Sequence, residues 1–107
     1  MRIVIVNYIN QFGSTGMKAA RPSICLSSSK KHMKVVPITQ HPNNICKQVG
    51  FYFEDGHYKG WVNPMKTFTV DRENVIGVKK RLSQDNEKKL KHLFSTITSQ
   101  NYLCNFK

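Results

Sequence analysis

Arg21 and Thr39 stand out as residues whose type and setting could support chemistry. Arg21 follows a loop that contains Gly13 and Gly16 and precedes Pro22, while Thr39 ends an apolar run after Pro37 and Ile38. An RNA phosphodiester can be broken without a metal when its own 2′-hydroxyl attacks the phosphorus. The protein must then supply a cation for the phosphate and groups that hydrogen-bond or move protons. Arginine suits the first task because its planar fork matches phosphate oxygens and stays charged at physiological pH. A threonine hydroxyl close by would serve the second. Taken singly, an arginine before a strand is an ordinary surface charge and a threonine after one an ordinary turn cap. Only their convergence would carry chemistry.

Other groupings are weaker. His32, His41 and His57 with Cys46 lack zinc-ligand spacing, so no metal and no other cofactor is expected, and these residues read as ordinary surface or core positions. Asp71 and Glu73 share one side of an extended chain, where a turn or an ion pair with Arg72 or Lys66 is the expected role. Phe51, Tyr52 and Trp61 could stack on unpaired bases or build a core. Gly60 beside Trp61 implies close approach of another backbone, which makes Trp61 a candidate for a dimer or RNA surface.

The elements that would position these residues are mostly strands. Ile3 to Val6 form a β-branched run that Tyr8 extends, and residues 10 to 20 read as a loop. Ser23 to Leu26 and Met33 to Ile38 flank a polar stretch, Ser27 to Lys31, as a hairpin with a basic tip. A loop at His41-Pro42-Asn43-Asn44 leads to a fourth strand over Val49, Phe51 and Phe53, and the Asp55-Gly56 turn joins it to Trp61 and Val62. Thr67 to Val70 and a short Val75 to Val78 complete the sheet, ahead of the basic cluster Lys79-Lys80-Arg81. Ser83 can cap a helix in which Leu90, Leu93, Phe94 and Ile97 share one face, leaving Lys88, Lys89 and Lys91 outside. Many short strands followed by one helix predict a mostly β fold, a small antiparallel barrel with a C-terminal helix.

The chain has 107 residues, the size of one domain spanning 1–107. Seventeen Lys and Arg against six Asp and Glu leave a formal charge of +11, a field that attracts nucleic-acid phosphates. No apolar stretch approaches a membrane span, and Met1 to Tyr8 is too short for a signal-peptide core, so a cytoplasmic location without a membrane partner is expected. Cys25, Cys46 and Cys104 are odd in number and widely spaced, as reduced thiols would be.

The ordered series Gly13-Ser14, Arg21-Pro22 with Ser23-Ile24-Cys25-Leu26-Ser27, and Val35-Val36-Pro37-Ile38-Thr39 resembles the MazF/Kid/PemK toxins of bacterial toxin–antitoxin pairs. Gly60-Trp61-Val62 through Thr69-Val70-Asp71, followed by Ile76-Gly77, looks like that family's later strand pair, so the likeness covers nearly the whole chain. It implies a CcdB/MazF-like barrel and a homodimeric endoribonuclease. Such an enzyme cuts single-stranded RNA at specific sequences without metal, leaving 2′,3′-cyclic phosphate and 5′-OH ends, and is held inactive by a cognate antitoxin, protein or RNA. By that likeness Arg21 is the phosphate-stabilising and acid or base residue, Thr39 its hydroxyl partner, and Ser14, Lys18, Gln40 and Lys66 contact the substrate. Met65-Lys66 departs from the family's frequent acidic-Gln pair, and Ser14 stands where some members carry a histidine. Two other readings compete. One is a non-enzymatic basic nucleic-acid-binding barrel, motivated by charge and strand aromatics; the other is a CcdB-like topoisomerase poison, which would need neither the Arg-Pro nor the Pro-Ile-Thr element.

Overall fold

The β-branched run at the start of the chain lies at the centre of a curled antiparallel sheet, and that position explains its composition. The computed structural model describes residues 1–13 and 20–105, with side chains described up to residue 94. Strand β1 (Arg2–Asn7) pairs with β2 (Ala20–Ser28) on one side and with β7 (Val75–Arg81) on the other. Strand β3 (His32–Thr39) follows β2 as a hairpin. Its far edge is shared by two strands: β6 (Phe68–Asp71) runs beside His32 to Val35, and β5 (Tyr58–Val62) beside Ile38 and Thr39. Strand β4 (Phe51–Asp55) completes the path β4-β5-β3-β2-β1-β7 as a hairpin with β5. The protein is therefore mostly β, a half-barrel sheet with a C-terminal helix, α3 (Gln84–Asn105).

Side chains alternate across a strand, so a strand buried on both faces reads as an unbroken apolar run. Ile3, Ile24, Val36 and Ile38 face one core with Phe53, Val62, Leu82 and Leu90. Val4, Val6, Met33 and Val35 face a second core with Tyr8 and Val70. Burying a side chain of this size stabilises by roughly 1.5–3 kcal/mol, which makes these two layers the main source of stability. Leu90, with Phe94 packed beside it, docks α3 on the first core. Ser83 caps this helix, its Oγ accepting the Asn86 N–H at 3.3 Å, as its sequence position predicts. Lys88, Lys89 and Lys91 are exposed, whereas Ile97 lies outside the described side chains.

Two short helices replace expected strand and loop. Tyr8 does not extend β1; it opens α1 (Tyr8–Phe12), which occupies the start of the segment read as a loop. Asn7 ends the strand by accepting the Asn10 N–H at 2.9 Å, and Tyr8 thereby turns into the second core, stacked on Phe12 and edge-on to Phe68. Val49 likewise belongs to α2 (Asn44–Val49) rather than to β4, because Asn43 caps Cys46 N–H at 2.8 Å. The basic cluster Lys79-Lys80-Arg81 is the second half of β7 and does not follow it. Asp71 pairs with His32 at 3.4 Å, not with Arg72 or Lys66.

The sheet's two end strands, β4 and β7, meet at one point. Asp55, buried at the end of β4, takes Lys80 of β7 as an ion-pair partner. Its other oxygen accepts the Ser83 N–H at 2.8 Å and an Asn86 amide N–H at 3.0 Å. One carboxylate thus ties β4, β7 and the start of α3 together. Along the rest of β7 the outer border has no strand partner among the described residues, and Ile76 and Val78 are exposed. Among the described residues no helix is long and apolar enough to cross a membrane.

Candidate functional site

The β2–β3 ladder stops short of the strand ends. Its last pair is Ser23 with Pro37, and Pro22 stands next to it. Proline has no N–H to give to a ladder, so two prolines at this point leave the strand ends free to part. A cleft of about 670 Å³ opens there, lined by Ala20, Arg21 and Pro22 from β2 and by Pro37, Ile38 and Thr39 from β3. Carried two residues further, the Ser23–Pro37 register sets Arg21 across from Thr39. Gln40 and Lys66 line the same cleft. Four of the six residues expected to form a site therefore converge, while Ser14 and Lys18 lie outside the described residues.

Each of the four is held by a local device. Arg21 sits opposite Val6 of β1, and two residues on, Ser23 is anchored from below by Tyr8, whose hydroxyl lies 2.6 Å from Ser23 Oγ with both side chains fully buried. Burial pushes the Tyr8 phenol up to about 12, opposed by the Ser23 hydrogen bond and by the nearby Arg21 charge. Thr39 pairs with Trp61 of β5, and its Oγ1 accepts the His41 N–H at 3.2 Å. That contact is the turn-capping role expected of such a threonine, yet it uses only a lone pair and leaves the hydroxyl proton free to donate. The Gln40 amide donates to the Lys59 carbonyl. Asn63 folds the chain back by accepting the Met65 N–H at 2.9 Å and, through its carbonyl, the Lys66 N–H at 3.0 Å, which brings Lys66 to the rim.

Gly60 makes the approach of β5 possible. A Cβ there would lie 2.6 Å from the Thr39 carbonyl oxygen and 2.9 Å from Ile38 Cγ2, so only glycine fits. The close backbone expected beside Trp61 is thus β3 of the same chain. Trp61 is half-buried and meets the exposed Tyr52 edge to face, with ring centroids 6.2 Å apart.

The cleft is strongly cationic. Arg21, Lys59 and Lys66 line it, and none of the six Asp and Glu side chains does. Among the described residues no carboxylate pairs with any of these three cations; the ion pairs formed are those of Asp55, Asp71 and Glu87 elsewhere. A guanidinium without an ion-pair partner among the described residues and a threonine hydroxyl, lining one recess whose wall holds no carboxylate, can take up a phosphate group. His41, His57, Lys59 and Cys46 also line the cleft, although sequence reasoning gave them no place in a site. Their signal is tertiary: the Asp55-Gly56 turn and the cap of α2 both arrive at the end of β3, and no local pattern encodes that meeting. Among the described residues no three His, Cys, Asp or Glu side chains come together as metal ligands.

Fold and site together define the class of protein, a curled antiparallel half-barrel with a C-terminal helix and a cationic, carboxylate-free cleft where a hairpin ladder parts. No family model, no curated protein and no solved structure matches the chain.

Proposed function

We propose that this protein is the toxin of a bacterial toxin–antitoxin pair, a metal-independent endoribonuclease of the MazF/Kid/PemK kind. In this reading it acts in the cytoplasm as a homodimer and is neutralised by a cognate antitoxin. Arg21 binds and steadies the scissile phosphate of single-stranded RNA, Thr39 donates a hydrogen bond to it, and Gln40 and Lys66 hold flanking groups. The 2′-oxygen attacks phosphorus and the 5′-oxygen leaves, giving 2′,3′-cyclic phosphate and 5′-OH ends. The observation that carries this reading is the convergence of Arg21 and Thr39, distant in sequence, on one acid-free cleft. Its volume of about 670 Å³ lies within the range of small-ligand sites, roughly 300–1,000 Å³. The net charge of +11 supports it as well, since such a field steers polyanions to the molecule.

The test is incubation of purified protein with unstructured RNA in excess chelator, with the new ends mapped. Cleavage is expected, and Arg21→Ala should lower its rate by about 10²–10³-fold, as loss of one charge-stabilising donor does. The circular dichroism spectrum should not change, because Arg21 forms no ion pair among the described residues. Cleavage that needs a divalent metal, or that survives Arg21→Ala, overturns the reading. Salt-sensitive RNA binding without strand breakage would instead assign the non-enzymatic nucleic-acid-binding role.

A further inference from the structure

We infer that His41 and His57 are the proton-transfer pair of the cleft, one imidazole accepting the ribose 2′-hydroxyl proton and the other protonating the departing 5′-oxygen. The inference rests on the ribonuclease reading and adds to it the acid and base that Arg21 and Thr39 do not supply. A guanidinium keeps its proton at any pH at which RNA is handled, and an aliphatic hydroxyl has no useful acidity there. A carboxylate base would be the usual substitute, but every Asp and Glu of this chain lies outside the cleft. The titratable groups that line the cleft with the two histidines are Arg21 from β2, Cys46 from α2, Tyr58 and Lys59 from β5, and Lys66 from the turn after Asn63, while the paired Asp55 and Lys80 stand at the turn before His57, outside the cleft wall. Imidazole alone, of all these side-chain types, ordinarily changes charge between pH 5 and 8.

The two histidines reach the cleft from different elements. His41 lies two residues beyond the end of β3, and its backbone N–H donates to Thr39 Oγ1 at 3.2 Å, which fixes the turn that carries its side chain. His57 leaves the β4–β5 turn, where Gly56 adopts φ +63° and reverses the chain just before Tyr58. Both side chains are exposed and neither is committed to a hydrogen bond or ion pair within the described protein, so a bound nucleotide can meet them. In the step itself the 2′-oxygen–phosphorus bond forms as the phosphorus–5′-oxygen bond breaks. A neutral imidazole takes the 2′-hydroxyl proton while an imidazolium gives its proton to the 5′-oxygen, so the pair ends with its charges exchanged and no proton is gained or lost.

The experiment is the pH profile of kcat/KM for the full chain on unstructured RNA in chelator, for the parent, His41→Asn, His57→Asn and the control His32→Asn. The parent should give a bell-shaped profile, one limb for each imidazole. Each cleft variant should be slower by about 10²–10⁴-fold and lack one limb, a different one in each, with RNA affinity and thermal midpoint kept. His32 pairs with Asp71 away from the cleft, so His32→Asn should match the parent in rate and profile. A cleft variant that keeps the parent rate, or that slows while retaining both limbs, overturns the pair. Either result leaves the ribonuclease reading standing, because that reading is decided by parent cleavage and the effect of Arg21→Ala. Absence of cleavage by the parent overturns both.

Discussion

Asp55 should make an acid-labile seam. Removing its charge while keeping its shape, as in Asp55→Asn, leaves the Lys80 ammonium without its anion and weakens the grip on Ser83 N–H and Asn86. Burial by itself would raise the Asp55 pKa, but hydrogen bonds from Lys80, Asn86 and the Ser83 N–H, together with the Lys80 charge, outweigh it and bring the group from 3.8 down to about 2. A carboxyl with a depressed folded-state pKa stabilises the fold fully above its unfolded value, and the contribution fades as pH falls through the folded one. The interval from 3.8 to about 2 corresponds to roughly 2 kcal/mol. Urea denaturation should therefore place Asp55→Asn about 2 kcal/mol below the parent at pH 7, with a melting midpoint lower by on the order of 10 °C. The gap should hold down to about pH 4 and narrow toward zero near pH 2. A difference at pH 7 within about 0.5 kcal/mol, the usual range for a surface change, would refute the reasoning. So would a gap that stays constant across the acid range.

Two further substitutions probe the supports of the cleft. Gly60→Ala should cost about 1–3 kcal/mol, since the new methyl would press on the Thr39 carbonyl, and chemical-shift changes should centre on Thr39 and Gln40; an unchanged unfolding midpoint would contradict the close approach of β5 to β3. Tyr8→Phe and Ser23→Ala should each cost about 1 kcal/mol, and their double variant should lose less than the sum, because each single change already breaks the one buried hydrogen bond they share; strict additivity would mean that the bond contributes nothing.

Much of the fold is legible in the chain because its signals are local. The Ile3 to Val6 run, the Ser27 to Lys31 tip, the Asp55-Gly56 turn and the Ser83 cap all declare themselves within a few residues, and each matches an observed boundary closely. The two short helices do not, since six residues or fewer carry no period. Asn7 and Asn43 were the available clues, each an Asn whose side chain caps the N–H three residues on, but Asn is as common in loops as at caps. The site divides in the same way. Arg21, Thr39, Gln40 and Lys66 could be nominated from type, position and family likeness, and they line one cleft. His41 and His57 could not, because what marks them is a place on the wall of a cleft whose lining holds no Asp or Glu, a property of the folded surface that no stretch of sequence displays.

The unpaired border of β7 carries its own safeguard. An open strand edge invites another chain to add itself and start a fibril, and Ile76 and Val78 would welcome such a guest. Lys79 and Arg81 follow at once, while Lys80 is held by Asp55, so two copies zipped edge to edge in parallel register would set Lys79 against Lys79 and Arg81 against Arg81. The strand thus carries its own gatekeepers, with like charges set directly beside the apolar residues of its open margin.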